Sequence, residues 1–208
     1  MTDKEKIKEL WNRLEKWLRS HVSESLDDLN GPAEEAEIYE VERRIGIQFP
    51  IAFRESLMIH NGQKGIGARL IMPEGSLLLP ISNILDFWLI ENEIASQMVE
   101  SDEPTAWRAE IENGVIMVKG NVKPLFRHPK RIPFADDNAD ILTYLDYNPP
   151  KEGNPGQVIK IWAEACSWQV LAPTFLDFFS KYIDELEQSK YKISAQYPYT
   201  EHITNGEK

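Results

Sequence analysis

Residues 157–175 read QVIKIWAEACSWQVLAPTF. Gln157 to Trp162 and Ser167 to Leu171 are two runs rich in β-branched and aromatic residues with a short break between them, the pattern of an antiparallel strand pair. Pro173 then opens a helix, because the amide it lacks would be unbonded at a helix start anyway. That helix carries Phe175, Leu176, Phe179, Ile183 and Leu186 on its buried side. Reading toward the N-terminus, Ile141 to Asp146 and Val115 to Lys119 are further strands, and Ser82 to Ser101 is a long acidic helix. Gly65 to Met72 and Leu77 to Ile81 are expected as strands split by the turn Pro73-Glu74-Gly75.

The other end of the chain is helical. Ile7, Leu10, Trp11, Leu14, Trp17 and Leu18 recur at three- and four-residue steps, and Thr2 with Glu5 supplies a capping box. The turn Asn30-Gly31-Pro32 leads into a helix from Ala36 to Ile45, closed by Gly46. A third helix runs from Pro50 to about His60 and ends at Asn61-Gly62. Strands in the middle with helices at both ends predict an α+β fold, a mainly antiparallel sheet with helices packed on one side. Residues 1–190 are read as one domain and 191–208 as a C-terminal tail. Regular strand–helix alternation and a Gly-rich phosphate loop are both missing, which argues against a doubly wound nucleotide binder.

The 208 residues carry 23 Lys and Arg against 34 Asp and Glu, a net charge of −11. Such a surface repels phosphate backbones, so no nucleic-acid partner is expected, while a basic protein would be attracted. A lone cysteine, Cys166, excludes an intramolecular disulfide and a multi-cysteine zinc site, and fits a reducing compartment. Met1 to Leu10 is too charged for a signal-peptide core. The apolar stretches Leu77 to Ile81 and Phe87 to Ile90 fall far short of the about 20 residues that cross a bilayer. A cytoplasmic protein without a membrane partner is the expectation.

Chemistry is sparse. Asp136, Asp137, Asn138 and Asp140, with Asp146 one strand later, are the densest polar group. A helix-loop-helix calcium site fails there, since Ile141 takes the glycine position and Tyr147 the bidentate glutamate position. The bland reading, turns closed by Asp and Asn side chains, leaves these residues structural and the chain without a metal or other cofactor. A metal-dependent hydrolase centred on Asp136, Asp137, Asp140 and Asp146 is the third-ranked function. Cys166 and the histidines sit in no recognisable nucleophilic setting. The basic cluster Lys123, Arg127, His128, Lys130 and Arg131 is read as offsetting the aspartates that follow it. An acidic run containing Glu91, Glu93 and Asp102 is interleaved with Trp88 and Trp107. These five residues are the candidate partner-binding surface, because aromatics beside carboxylates can anchor and steer a basic protein.

Several stretches, in order, carry a family likeness. They are Trp11-x-x-Leu14-Glu15-x-Trp17-Leu18, Ile45-Gly46-Ile47-x-Phe49-Pro50 with Ile38 and Glu42 before it, and His60-Asn61-Gly62-Gln63. The second half adds Ile132-Pro133-Phe134-Ala135-Asp136-Asp137, Asp140, Tyr144-Leu145-Asp146, Gly156-Gln157-Val158-Ile159 and Leu171-Ala172-Pro173-Thr174-Phe175-x-x-Phe178-Phe179. Over about residues 7 to 186 the chain resembles the SUKH superfamily, in its branch of fungal cell-wall synthesis regulators linked to killer-toxin resistance and their bacterial relatives. Ala139 departs from the glycine usual at that place in the motif. The resemblance implies an α+β domain without enzymatic activity that works by binding proteins. Bacterial members are associated with immunity against toxins, often nucleases; fungal members with regulation of glucan synthesis. The first expectation is therefore an immunity protein occluding a basic toxin domain, and the alternative a regulator or scaffold of cell-wall synthesis.

Overall fold

The computed structural model describes residues 1–66, 69–97, 107–137, 141–193 and 200–203. Helix α1 (Asp3–His21) starts on the capping box: Thr2 Oγ1 accepts from the Glu5 amide, and Glu5 accepts from the Thr2 amide at 2.7 Å. Its stripe of Ile7, Leu10, Trp11, Leu14 and Leu18 is buried. Helix α2 (Glu35–Ile45) closes on Gly46 at φ 76°, and α3 (Ile51–Leu57) follows Pro50. Helix α6 (Phe175–Glu187) is capped by Thr174, whose hydroxyl accepts from the Asp177 amide. Between them lie α4 (Ile81–Gln97) and the short α5 (Arg108–Glu112). Helices α1, α3 and α6 interlock through rings, with Trp11 against Phe179 and Phe53 against Phe175, and the Trp11 indole donates to Ser56 Oγ at 2.9 Å.

The sheet comprises β1 (Leu77–Leu78), β2 (Met117–Lys119), β3 (Arg131–Asp137), β4 (Ile141–Asp146), β5 (Gln157–Trp162) and β6 (Ser167–Ala172), in the order β1-β3-β4-β5-β6-β2. All neighbours are antiparallel except β2, which runs parallel to β6. Successive residues on a strand face opposite ways. Ile132, Phe134, Leu145, Val158 and Ala172 therefore enter the core shared with the helical layer. Leu142, Tyr144, Ile159, Ile161 and Trp168 form a second core on the reverse face, closed by Val122, Phe126 and Phe87 of α4. The α+β architecture expected from the sequence is the one found.

Three elements differ from expectation. Residues 65–72 form no strand where described, and the stretch from Leu77 yields only two strand residues before Pro80 and the start of α4 at Ile81. Strand β3 was not expected, because Pro133 cannot donate to a ladder; it is accommodated where the β3–β4 register shifts between Pro133 and Ala135. Beyond α6, Tyr191–Ile193 (β7) and Thr200–His202 (β8) pair antiparallel, and buried Thr200 lies 3.2 Å from the Tyr182 hydroxyl.

Gly62 fixes the joint between α3 and β1. It adopts φ 66°, and a Cβ there would come within 2.4 Å of Pro80 N and 2.5 Å of Leu79 C. Gly62→Ala is expected to lower unfolding free energy by at least about 2 kcal/mol in urea denaturation, since a strained φ and a backbone clash add. A second expectation concerns alkaline pH. Burial pushes the phenols of Tyr144, Tyr147, Tyr182 and Tyr191 upward, Tyr147 to about 12 with the Glu42 carboxylate helping. Neutral phenols are thus favoured by the fold. Stability is fully present below the unfolded value of about 10 and is lost as pH rises through the folded values. Denaturation curves at pH 9 and 11, compared between wild type and Tyr147→Phe, should show a smaller alkaline loss in the variant.

Candidate binding surfaces

Among the described residues, Asp146 is not brought together with Asp136 and Asp137. Asp146 ends β4 directly across from Arg131 at the start of β3, whereas Asp136 and Asp137 lie at the far end of the same ladder, opposite Leu142 and Ile141. Asp140 lies outside the described residues, as does Asn138. Asp137 accepts from Arg69 at 3.0 Å. The hydrolase reading placed Asp146 with Asp136, Asp137 and Asp140; the length of the strand pair separates Asp146 from Asp136 and Asp137.

Asp146 is fully buried and Arg131 nearly so, with Arg131 Nε 3.3 Å from Asp146 Oδ1. Further hydrogen bonds engage both groups. The Asn148 amide donates to Asp146 Oδ1 at 3.0 Å and Gln157 Nε2 reaches Oδ2 at 3.4 Å. The Arg131 guanidinium donates to the carbonyls of Leu125 and of Lys123, the latter at 2.7 Å. Trp168 Nε1 also donates to the Leu125 carbonyl, at 2.8 Å. Burying charge is tolerable only when it is paired and hydrogen-bonded in this way. Arg131 thus does neutralise an aspartate, but the partner is Asp146 across the ladder rather than the aspartates next in sequence.

The acidic aromatic stretch splits. Trp88 is half-buried and its indole donates to the Pro129 carbonyl at 2.9 Å. Glu91 accepts from Arg127 at 3.2 Å and from the Tyr144 hydroxyl at 3.4 Å. The acidic helix and the basic cluster therefore partly satisfy each other inside the molecule. Glu93 is exposed and Trp107 half-buried; Asp102 lies outside the described residues. Beside Glu93, α4 turns Leu89 and Ile90 outward, 40% and 56% exposed. These apolar side chains are exposed on α4, and the sequence reading passed over them.

A cavity of about 180 Å³ lies between the helical-side face of the sheet and α6, flanked by the Pro73–Gly75 turn and by Tyr191 and His202. Its floor is one cross-strand row, Thr143 on β4, Lys160 on β5 and Gln169 on β6, paired in register. Lys160 Nζ meets Glu74 at 2.5 Å across the rim. The signal was present in the sequence: polar residues fall at strand positions whose same-face neighbours, such as Val158 and Leu171, face the apolar layer.

Fold and buried ion pair together define an α+β domain in which Asp146 is bonded within the core. Residues 32–181 match the model of the SMI1/KNR4 family (SUKH-1), and the chain belongs to that family. It is 24% identical over 222 residues to a KNR4/SMI1 homolog of Yarrowia lipolytica, covering 88% of this chain and 31% of that protein. It is 26% identical to the cell wall biosynthesis/cell cycle regulator smi1 of Schizosaccharomyces pombe, covering 90% and 37%. It is 22% identical to a glucan synthesis regulatory protein of Neurospora crassa, covering 88% and 39%. The chain spans roughly a third of the length of these curated relatives. Among the described residues no helix is long and apolar enough to cross a membrane.

The two ends of the ladder should respond differently to substitution. Asp146→Ala leaves Arg131 buried without its counter-charge and is expected to cost about 3–5 kcal/mol. Asp137→Ala removes a part-exposed pair and should cost about 1 kcal/mol or less. Guanidinium denaturation of both variants measures the difference.

Proposed function

We propose that the chain is a non-catalytic, protein-binding regulatory domain that acts in the cytoplasm on cell-wall synthesis or the signalling that controls it. The observation that carries this reading is membership of the SMI1/KNR4 family over residues 32–181, with relatives whose names describe cell-wall and glucan regulation. The chain corresponds to about a third of those relatives, so the shared property is what this one domain can do. The absorption of Asp146, Asp137 and Glu91 into internal ion pairs is consistent with action by contact. On this reading the partner meets the outer face of α4, where Leu89 and Ile90 supply apolar area and Glu93 the charge, with Trp107 and Asp102 following in the chain.

A second reading, an immunity protein that occludes a basic toxin, is favoured by one observation, the net charge of −11, which would accelerate encounter with a cationic partner. The two readings are separable. Replacing the matched segment of the fission-yeast regulator by this chain should restore a normal wall to cells lacking that regulator. A stably expressed chimera that leaves the wall defect untouched would remove the regulatory reading. Within the chimera, Leu89→Asp with Ile90→Asp should abolish rescue without lowering stability. Trp88→Ala and Glu91→Gln should instead cost about 1–2 kcal/mol of stability by losing the bonds to Pro129 and Arg127.

A further inference from the structure

The cavity beneath α6 plays no part in the reading above, yet its chemistry is selective. Its charges cancel: Lys160 is held by Glu74, and on α6 Lys181 stands one turn from Glu185. The uncommitted groups are neutral. Ser76 and Thr143 are only 7% and 4% exposed, both line the cavity, and neither hydroxyl hydrogen-bonds to any described residue. Neither is sealed from the space, so both present a donor and acceptor to whatever fills it. The Gln169 amide, next along the cross-strand row, is likewise without a partner among the described residues. Phe178 and Tyr191 add aromatic walls. Burial, reinforced by the carboxylates of Glu185 and Glu74, holds the Tyr191 phenol above its ordinary value and therefore protonated.

We propose that this cavity is a binding site for a neutral polyhydroxylated ligand, a single pyranose ring of a sugar. Hydroxyls and an amide both donate and accept, as a ring of hydroxyls requires, and aromatic walls suit the apolar faces of the ring. An anion would meet Glu74 and Glu185, and a cation would meet Lys160 and Lys181, without a surplus of opposite charge to hold either. The volume of about 180 Å³ lies below the roughly 300–1,000 Å³ of sites for drug-sized ligands, which limits occupancy to one small unit. That unit can be a free monosaccharide or the end of an oligosaccharide.

Nuclear magnetic resonance of the whole chain, titrated separately with D-glucose, with the β-1,3-linked trimer laminaritriose and with sodium phosphate, tests the assignment. Saturable shifts at Thr143 and Gln169 are expected, with a Kd on the order of 1–10 mM for glucose. A trimer bound about tenfold tighter identifies a chain end as the natural ligand, and equal affinity a free sugar. Thr143→Val should weaken binding about tenfold, while Thr143→Ser keeps it within about twofold. If the valine variant melts early, Gln169→Leu serves in its place. Absence of saturable shifts at about 50 mM of either sugar, shifts mapping elsewhere, saturation of these residues by phosphate, or unchanged affinity in the variant would each overturn the proposal.

Discussion

The structure depends on one buried ion pair. Arg131 and Asp146 face each other across the first rung of the β3–β4 ladder, both shut away from water, and are further hydrogen-bonded by Gln157, the Asn148 amide and the carbonyls of residues 123 and 125. Isolated, either charge would cost several kcal/mol to bury. Together they tie the segment before β3 down onto the reverse face of the sheet, where Val122 and Phe126 close the second core over Trp168 and Tyr144. Trp168 bonds the same carbonyl of Leu125 that Arg131 uses, so the packing of that core and the satisfaction of the ion pair are one event.

The same economy governs other acids in the chain. Glu42 is buried behind α2, where it accepts from the Phe49 amide and from Arg54, both at 2.7 Å. Asp28, also buried, binds the Gln63 side chain and the Ile66 amide, and Gln63 in turn accepts from the Leu78 amide at the sheet edge. A chain of net charge −11 thus spends several carboxylates internally as hydrogen-bond acceptors that fix loops. The proposals made above for the outer side of α4 and the cavity under α6 rest on groups outside these internal bonds.

Helix periodicity made α1, α2 and α6 legible, and the fold class followed from where the strands cluster. Strand β3 was hidden by Pro133, whose ring breaks the pattern and whose bulge is visible only in the register with β4. Leu77 to Ile81 misled because a short apolar run does not reveal that Pro80 turns the chain into a helix. The aspartate motif could be recognised as a resemblance, but its division between two ends of a ladder is a matter of register, on which spacing along the chain is silent. The α4 surface was located by charge and aromatic content; which of its residues look inward depended on Arg127 and Pro129, some forty positions away. The cavity joins residues scattered from Met72 to His202, and only the unexpected polar residues on β4, β5 and β6 hinted at it.

The central claim is that Arg131 and Asp146 serve the fold and perform no chemistry. It is tested most directly by replacing both at once, Arg131→Met with Asp146→Leu, in the chimera carried by fission yeast. The account predicts a domain that folds, recovers most of the stability lost on removing Asp146 alone, and still restores the cell wall. A double variant that folds with native stability and yet loses that activity would contradict it.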